Sequence, residues 1–148
     1  SGTYSTIVIN SFDEILITRI TPDSRIINNT LIPKLQSSSR EEGKYISYVS
    51  YAVDGMTYLI FNDNERSDPR GVYTGANIRP LTGSSSARPS VVSVDREGNA
   101  FKNPLISSGT QGFVLYPAHH HETPSAMILT LYSGSKIRFA KLVFPRKN

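Results

Sequence analysis

An all-β domain built from antiparallel hairpins is the fold class this sequence predicts, on three observations. No segment shows helical periodicity, and 9 prolines among 148 residues work further against helices. Runs rich in Ile, Val and Thr alternate with polar turn formers along most of the chain. Residues 17–32, ITRITPDSRIINNTLI, also align without a gap on residues 91–106, VVSVDREGNAFKNPLI. Ile17 then meets Val91, Ile20 meets Val94, and Asn29, Leu31 and Ile32 meet Asn103, Leu105 and Ile106. Each copy reads as strand, tight polar turn, strand, and a recurring hairpin is the mark of propellers and other repeat β-folds.

The elements follow in order. Tyr4 to Asn10, Glu14 to Thr21 and Arg25 to Pro33 read as strands, separated by the turn formers Ser11-Phe12-Asp13 and Pro22-Asp23-Ser24. Lys44 to Val53 alternates, with Tyr45, Ser47, Val49 and Tyr51 on one face and Ile46, Tyr48, Ser50 and Ala52 on the other. Asp54-Gly55 closes it against Met56 to Asn62, because both residues tolerate the positive φ of a type I′ turn. Residues 64–89 are polar and rich in Gly, Ser, Arg and Pro, and read as an inserted surface loop in which only Val72 to Ile78 resembles a strand. Val91 to Asp95 and Asn99 to Ile106 form the next hairpin, through Arg96-Glu97-Gly98. Pro117 to Pro124 reads as a proline-bounded loop. Ala126 to Tyr132 and Lys136 to Phe144 form the last hairpin, turning at Ser133-Gly134-Ser135. In its second strand Ile137, Phe139, Lys141 and Val143 share one face and Arg138, Ala140, Leu142 and Phe144 the other. Both faces are partly apolar, which predicts a buried or partner-covered strand.

The two copies start 74 residues apart. Without the inserted loop of about 25 residues the spacing falls near the 40 to 50 of propeller blades. Fewer than three blades fit, whereas propellers close with four or more. The expected fold is therefore a set of antiparallel β-propeller-like blades forming the C-terminal fragment of a larger propeller. A ten-stranded β-sandwich or barrel is the alternative. Residues 1–148 read as a single all-β domain or partial domain, and the Ser1-Gly2 start reads as a processed or cut terminus.

Composition bounds the chemistry. The absence of cysteine removes thiol catalysis, thiolate metal sites and disulfides together, and suits a bacterial envelope protein. The longest apolar runs, such as Ala126 to Tyr132, are far below the roughly 20 residues of a membrane helix. The net charge of +4 is uneven: nine acids oppose six bases up to Asp68, and three acids oppose ten bases from Pro69 onward. These charges are spread among strands and loops instead of forming a basic run, so nucleic acid is not an expected partner.

Ile32-Pro33-Lys34-Leu35-Gln36, Tyr45-Ile46-Ser47-Tyr48 and Tyr58-Leu59-Ile60-Phe61-Asn62-Asp63-Asn64 together resemble a pattern in uncharacterised Bacteroidetes envelope or secreted proteins with propeller-like β repeats. In that pattern a strand ends in Pro-Lys-x-Gln, a Ser-Tyr strand follows, and another strand ends in apolar-Asn-Asp. The resemblance covers residues 31–64 closely and the later hairpins loosely. It implies a cell-envelope or extracellular location, a signal peptide and preceding strands, and it carries no reaction.

Candidate chemistry is sparse. His119, His120, His121 and Glu122 suggest a divalent metal, since neutral imidazole binds zinc, copper or nickel. On an extended chain only His119 and His121 share a face, with Glu122 as a third ligand, against a plain exposed polar loop. Asp63, Asn64, Glu65 and Asp68 suggest a calcium loop, against a solvated turn whose Asn62 and Asp63 bond their own backbone. No Gly-x-Ser-x-Gly elbow, P-loop or dinucleotide spacing occurs. Tyrosines on a sheet rim can stack on sugars, and Tyr73 in the long loop is the one packing explains least. Tyr73, Arg70, Arg79 and Arg88 are the expected ligand or partner surface. The predicted function is a non-catalytic binding or scaffold module, with no cofactor. Its partner is another protein or the missing remainder of the same polypeptide, met through the 64–89 and Pro117 to Pro124 loops. A metal-binding protein or metalloenzyme using His119 and His121, and a glycan-binding module, are the alternatives.

Overall fold

The computed structural model describes residues 9–39, 43–67, 71–106 and 112–144. Strands β1 (Ile9–Ile20) and β2 (Ile26–Ser39) form a long two-stranded hairpin. Strands β3 (Val49–Val53), β4 (Met56–Asn64), β5 (Gly71–Val72), β6 (Ala87–Val94) and β7 (Ala100–Pro104) form a second sheet in the order β3-β4-β6-β7-β5. Strands β8 (Val114–Thr123), β9 (Ala126–Ser133) and β10 (Lys136–Val143) form a third, with β9 in the middle. Every strand pair is antiparallel. The all-β expectation holds, and among the described residues none of the three sheets closes into a barrel, which removes the barrel but not the sandwich from the alternative.

The sheets stack as layers with the five-stranded sheet in the middle. One core joins Ile15 and Ile32 of the hairpin to Leu59, Phe61, Val92, Val94, Ala100 and Tyr73. A second core joins Val49 and Ile60 to Phe113, Leu115, Met127, Leu129, Leu131 and Phe144. Strand β4 therefore gives Leu59 and Phe61 to one layer and Tyr58 and Ile60 to the other. That explains why its sequence is a near-continuous apolar run instead of an alternating one. A smaller cluster, Tyr45, Ile46, Leu81 and Val114, closes one rim.

Both copies of the sequence repeat are hairpins, and they pack against each other. Arg19 donates to the Asp95 carbonyl at 3.1 Å, Asn28 to that of Arg96 at 3.0 Å and Thr30 to that of Gly98 at 3.3 Å. The Asp54-Gly55 turn has the positive φ values expected of it, 50° and 80°. The final hairpin also forms as predicted, with Ser133 paired to Lys136.

Four local readings change. Ser11-Phe12-Asp13 is a bulge inside one long β1 and does not divide two strands, because pairing to β2 continues on both sides of it; residues 4–8 lie outside the described residues. Residues 44–48 do not extend β3. Gly43–Tyr45 is a 3-10 turn, and Ser47 at φ 92° stops the extended chain while Tyr45 and Ile46 turn into the rim core. The 64–89 segment is no simple surface loop: Gly71–Val72 pairs with β7, and Ser67, Tyr73 and Leu81 are buried. Leu81 also bridges Gln36 in parallel. Gly75, at φ 76°, lets this segment lie on the hairpin, since a Cβ there would sit 2.2 Å from the Pro33 ring. Finally, Pro117 to Pro124 is largely strand β8, whose ladder to β9 shifts between Leu115 and His120.

Candidate functional site

That shift pushes Tyr116, Pro117, Ala118 and His119 out of the regular ladder. His119 Nδ1 lies 2.8 Å from the Tyr132 hydroxyl, and the Tyr116 and Tyr132 rings stack at 4.2 Å. His120 Nδ1 donates to the Pro117 carbonyl at 2.7 Å, and its Nε2 lies 3.3 Å from Glu122 Oε1. His121 stands opposite Ile128. The carboxylate of Glu122 thus faces His120, the histidine expected to point away from the metal-binding pair. Among the described residues no three His, Cys, Asp or Glu side chains converge as a metal would require.

Of the residues expected on a ligand or partner surface, Tyr73, Arg79 and Arg88 lie among the described residues, and Tyr73 is not on the surface. Tyr73 is buried at 5% exposure, its hydroxyl donates to the Pro33 carbonyl at 2.7 Å, and its ring lies 5.3 Å from Lys102 Nζ. Packing explains it fully, so its surface role is withdrawn. Arg79 is exposed and Arg88 is half-buried in β6, opposite Asp63. Arg70 and Asp68 lie outside the described residues. Most other tyrosines also pack: Tyr45 is buried, and Tyr51 stacks on Phe144 at 4.2 Å.

The densest chemistry is buried, and it gathers the residues of the Pro-Lys-x-Gln and Asn-Asp elements. Lys34 and Gln36 share the inward face of β2 with Ile32. Lys34 Nζ donates to Gln36 Oε1 at 2.8 Å and to the Phe12 carbonyl at 3.3 Å. Gln36 Nε2 donates to the Asn62 carbonyl at 2.5 Å, and Gln36 Oε1 accepts the Ser47 N–H at 2.9 Å. Asn62 Nδ2 donates to the Tyr45 and Leu115 carbonyls, each at 2.7 Å, and Asn62 Oδ1 accepts the Leu115 N–H at 2.9 Å. Beside it Asp63 forms a buried ion pair with Lys102 and accepts the Asn64 N–H at 2.7 Å. Among the described residues no buried side-chain nitrogen or oxygen is left without a partner. This polar clasp joins the hairpin, the middle sheet and β8 at one rim. It also removes Asp63 from the calcium reading, because its carboxylate already neutralises Lys102, while Asn64 Oδ1 accepts the Arg66 N–H in a local turn.

Burial of Lys34 among the Phe12 and Tyr48 rings pushes its ammonium pKa down to about 8, opposed by the charge of Asp13. Next to the clasp, Ser11, Asp13, Leu35, Gln36, Ser37 and Pro80 line an open cleft of about 270 Å³. Sequence reasoning missed Lys34, Gln36 and Lys102, although each sits at a core-facing position of an alternating strand, which is the signal that marks a buried polar residue.

The remaining candidates are the outward faces of the two outer sheets. On the hairpin, Leu16 pairs with Leu31 and Ile20 with Ile26, and these four are 52% to 64% exposed. On the third sheet Ile137, Phe139 and Val143 are 55%, 74% and 63% exposed, next to Ile128. The opposite face of β10 packs inward through Ala140 and Leu142 and continues into buried Phe144, so one of its two apolar faces is covered and the other is open. Apolar surface repeated across paired strands marks an interaction site more strongly than single exposed side chains do. No helix among the described residues is long and apolar enough to cross a membrane. Comparison with known protein families, with curated protein sequences and with solved structures finds no match to this chain.

Proposed function

We propose that this chain is a non-catalytic binding or scaffold module of a bacterial cell-envelope or secreted protein, made of stacked, propeller-like sheets. Its outer sheet faces meet a protein partner or further β structure of the same polypeptide. The observation that carries this reading is the pair of open apolar faces, one at each end of the stack. Support for the blade-like arrangement comes from the middle sheet, where β3, β4, β6 and β7 follow one another as an antiparallel meander of four strands, as in a propeller blade. On this view β1–β2 is the end of one blade and β8–β10 most of the next. The envelope assignment rests on the resemblance of residues 31–64. The contact surface moves from the two loops to the sheet faces, because one loop is packed into the fold and the other is largely strand.

A photo-crosslinking residue placed in the native bacterial host at Leu16, Phe139 or, as control, Glu65 tests this reading. Protein adducts or intrachain links at Leu16 and Phe139, with little at Glu65, are the expected result. Adducts confined to Glu65 would overturn the assignment of the contact surface.

A further inference from the structure

The wide bulge in β8 builds a cluster of three rings. Between the Leu115–Leu131 and His120–Leu129 pairs, the four residues Tyr116 to His119 stand against Thr130 alone. Pro117, among them, has no N–H to give to the ladder, and β8 is an edge strand, so the surplus chain interrupts no further strand. Val114 pairs with Tyr132, which makes Tyr116, two residues on, the diagonal neighbour of Tyr132 on the same face. The two rings stack at 4.2 Å with 26° between their planes. The bulge also brings in His119, whose ring lies 5.8 Å from that of Tyr116 and 5.6 Å from that of Tyr132, with Nδ1 2.8 Å from the Tyr132 hydroxyl. His119 is exposed and both tyrosines are half-buried, so the cluster is open to solvent.

A phenol gives up one electron readily only when its proton has somewhere to go, because the cation radical is a very strong acid and the phenoxyl radical is neutral. Tyr51 and Tyr73 donate to the backbone carbonyls of Pro124 and Pro33, which do not take up a proton. Tyr132 faces an imidazole, which does. Tyr116 supplies a second phenol in ring contact, whereas Tyr51 and Tyr58 pack against Phe144, which has no hydroxyl to lose. With no cysteine in the chain, no disulfide can tie its strands together.

We propose that Tyr116 and Tyr132 are an oxidative cross-linking site, at which a haem peroxidase and hydrogen peroxide join the two rings into an intrachain dityrosine with His119 as proton acceptor. One electron leaves each phenol for the peroxidase; His119 takes the Tyr132 proton and water that of Tyr116. A carbon–carbon bond forms between the ring carbons ortho to the two hydroxyls, and each ring becomes aromatic again as its ortho hydrogen moves to the oxygen. Hydrogen peroxide accepts the two electrons and two protons and leaves as two waters, so the product is lighter by two hydrogen atoms. The new bond ties β8 to β9 where their ladder is interrupted. This site is independent of the scaffold reading.

The full chain, kept dilute and treated with a haem peroxidase and limiting hydrogen peroxide, provides the test. Dityrosine fluorescence and mass spectrometry of the digest are the readouts. The expected product is monomeric, has the Tyr116 and Tyr132 peptides joined with loss of two hydrogens, and unfolds at a higher denaturant midpoint. Tyr116→Phe and Tyr132→Phe keep the rings and their packing, and each is expected to abolish that product. His119→Asn is expected to slow its formation roughly tenfold or more, with added imidazole restoring the rate. A histidine that only held the bulge in shape would not be replaced by free imidazole. A cross-link that maps to other tyrosines, joins separate chains or survives Tyr132→Phe would overturn the site. So would oxidation of the exposed Tyr48 while Tyr116 and Tyr132 stay unmodified. An unchanged rate in His119→Asn would overturn the proton acceptor.

Discussion

A buried lysine held by neutral partners makes this fold pH-sensitive at a single residue. Lys34 Nζ donates to the Gln36 side chain and the Phe12 carbonyl, and its burial pushes the pKa down to about 8 from 10.5. Between these two values the unfolded chain holds more protons at this site than the folded one does. Stability therefore rises with pH across that window, by at most about 1.4 kcal/mol per pH unit. Urea unfolding of the unmodified chain at intervals from pH 8 to 10.5, set against Lys34→Met, measures the contribution, and the slope should be steeper with the lysine present. Equal slopes would mean that Lys34 keeps an ordinary pKa in the fold. Lys102 differs, because its buried charge is compensated by Asp63. Removing either member of that pair strands the other, whereas among the described residues Lys34 has no ion-pair partner to strand.

At the level of elements, Asn62 is the joint. Its side chain bonds the 3-10 turn at Tyr45 and both backbone groups of Leu115 in β8, while its own carbonyl receives Gln36 from β2. Asn62→Ala strands three buried backbone groups. At about 1 to 3 kcal/mol each, with partial relaxation, the loss is on the order of 3 to 6 kcal/mol, a large part of the stability of an ordinary domain. Asn64→Ala removes hydrogen bonds to the Pro80 carbonyl and from the Arg66 N–H at an exposed site, and should cost under about 1 kcal/mol. Denaturation midpoints compare the two directly; similar shifts would show that the clasp is not what holds the layers in register. The hairpins were legible in the sequence because turn chemistry and apolar periodicity are local. Asp54-Gly55 and Gly134-Ser135 sit between runs that pair with their neighbours in register. The clasp was legible only as a set of residues, since nothing local shows that Gln36, Asn62 and Leu115 meet. Tyr73 was misread for the same reason: its burial comes from Pro33 and Lys102, distant in sequence.

For the whole molecule, layer order sets the order of unfolding. Strands β4 and β6 are hydrogen-bonded on both sides and covered on both faces. The β1–β2 hairpin bonds mainly to itself, meets the rest of the backbone through the Gln36–Leu81 bridge, and has one face open. The apolar pairs Leu16–Leu31 and Ile20–Ile26 thus add little to the stability of the isolated chain, because they stay in water on folding. Native-state hydrogen exchange should show β1–β2 amides opening at a free energy lower than those of β4 and β6, by roughly 2 kcal/mol or more. Occupation of the outward hairpin face should raise that value toward the one for β4, since the opened hairpin would have to release its partner as well. Uniform exchange across all three sheets would mean that the hairpin is held as firmly as the middle sheet, and would overturn this order of unfolding.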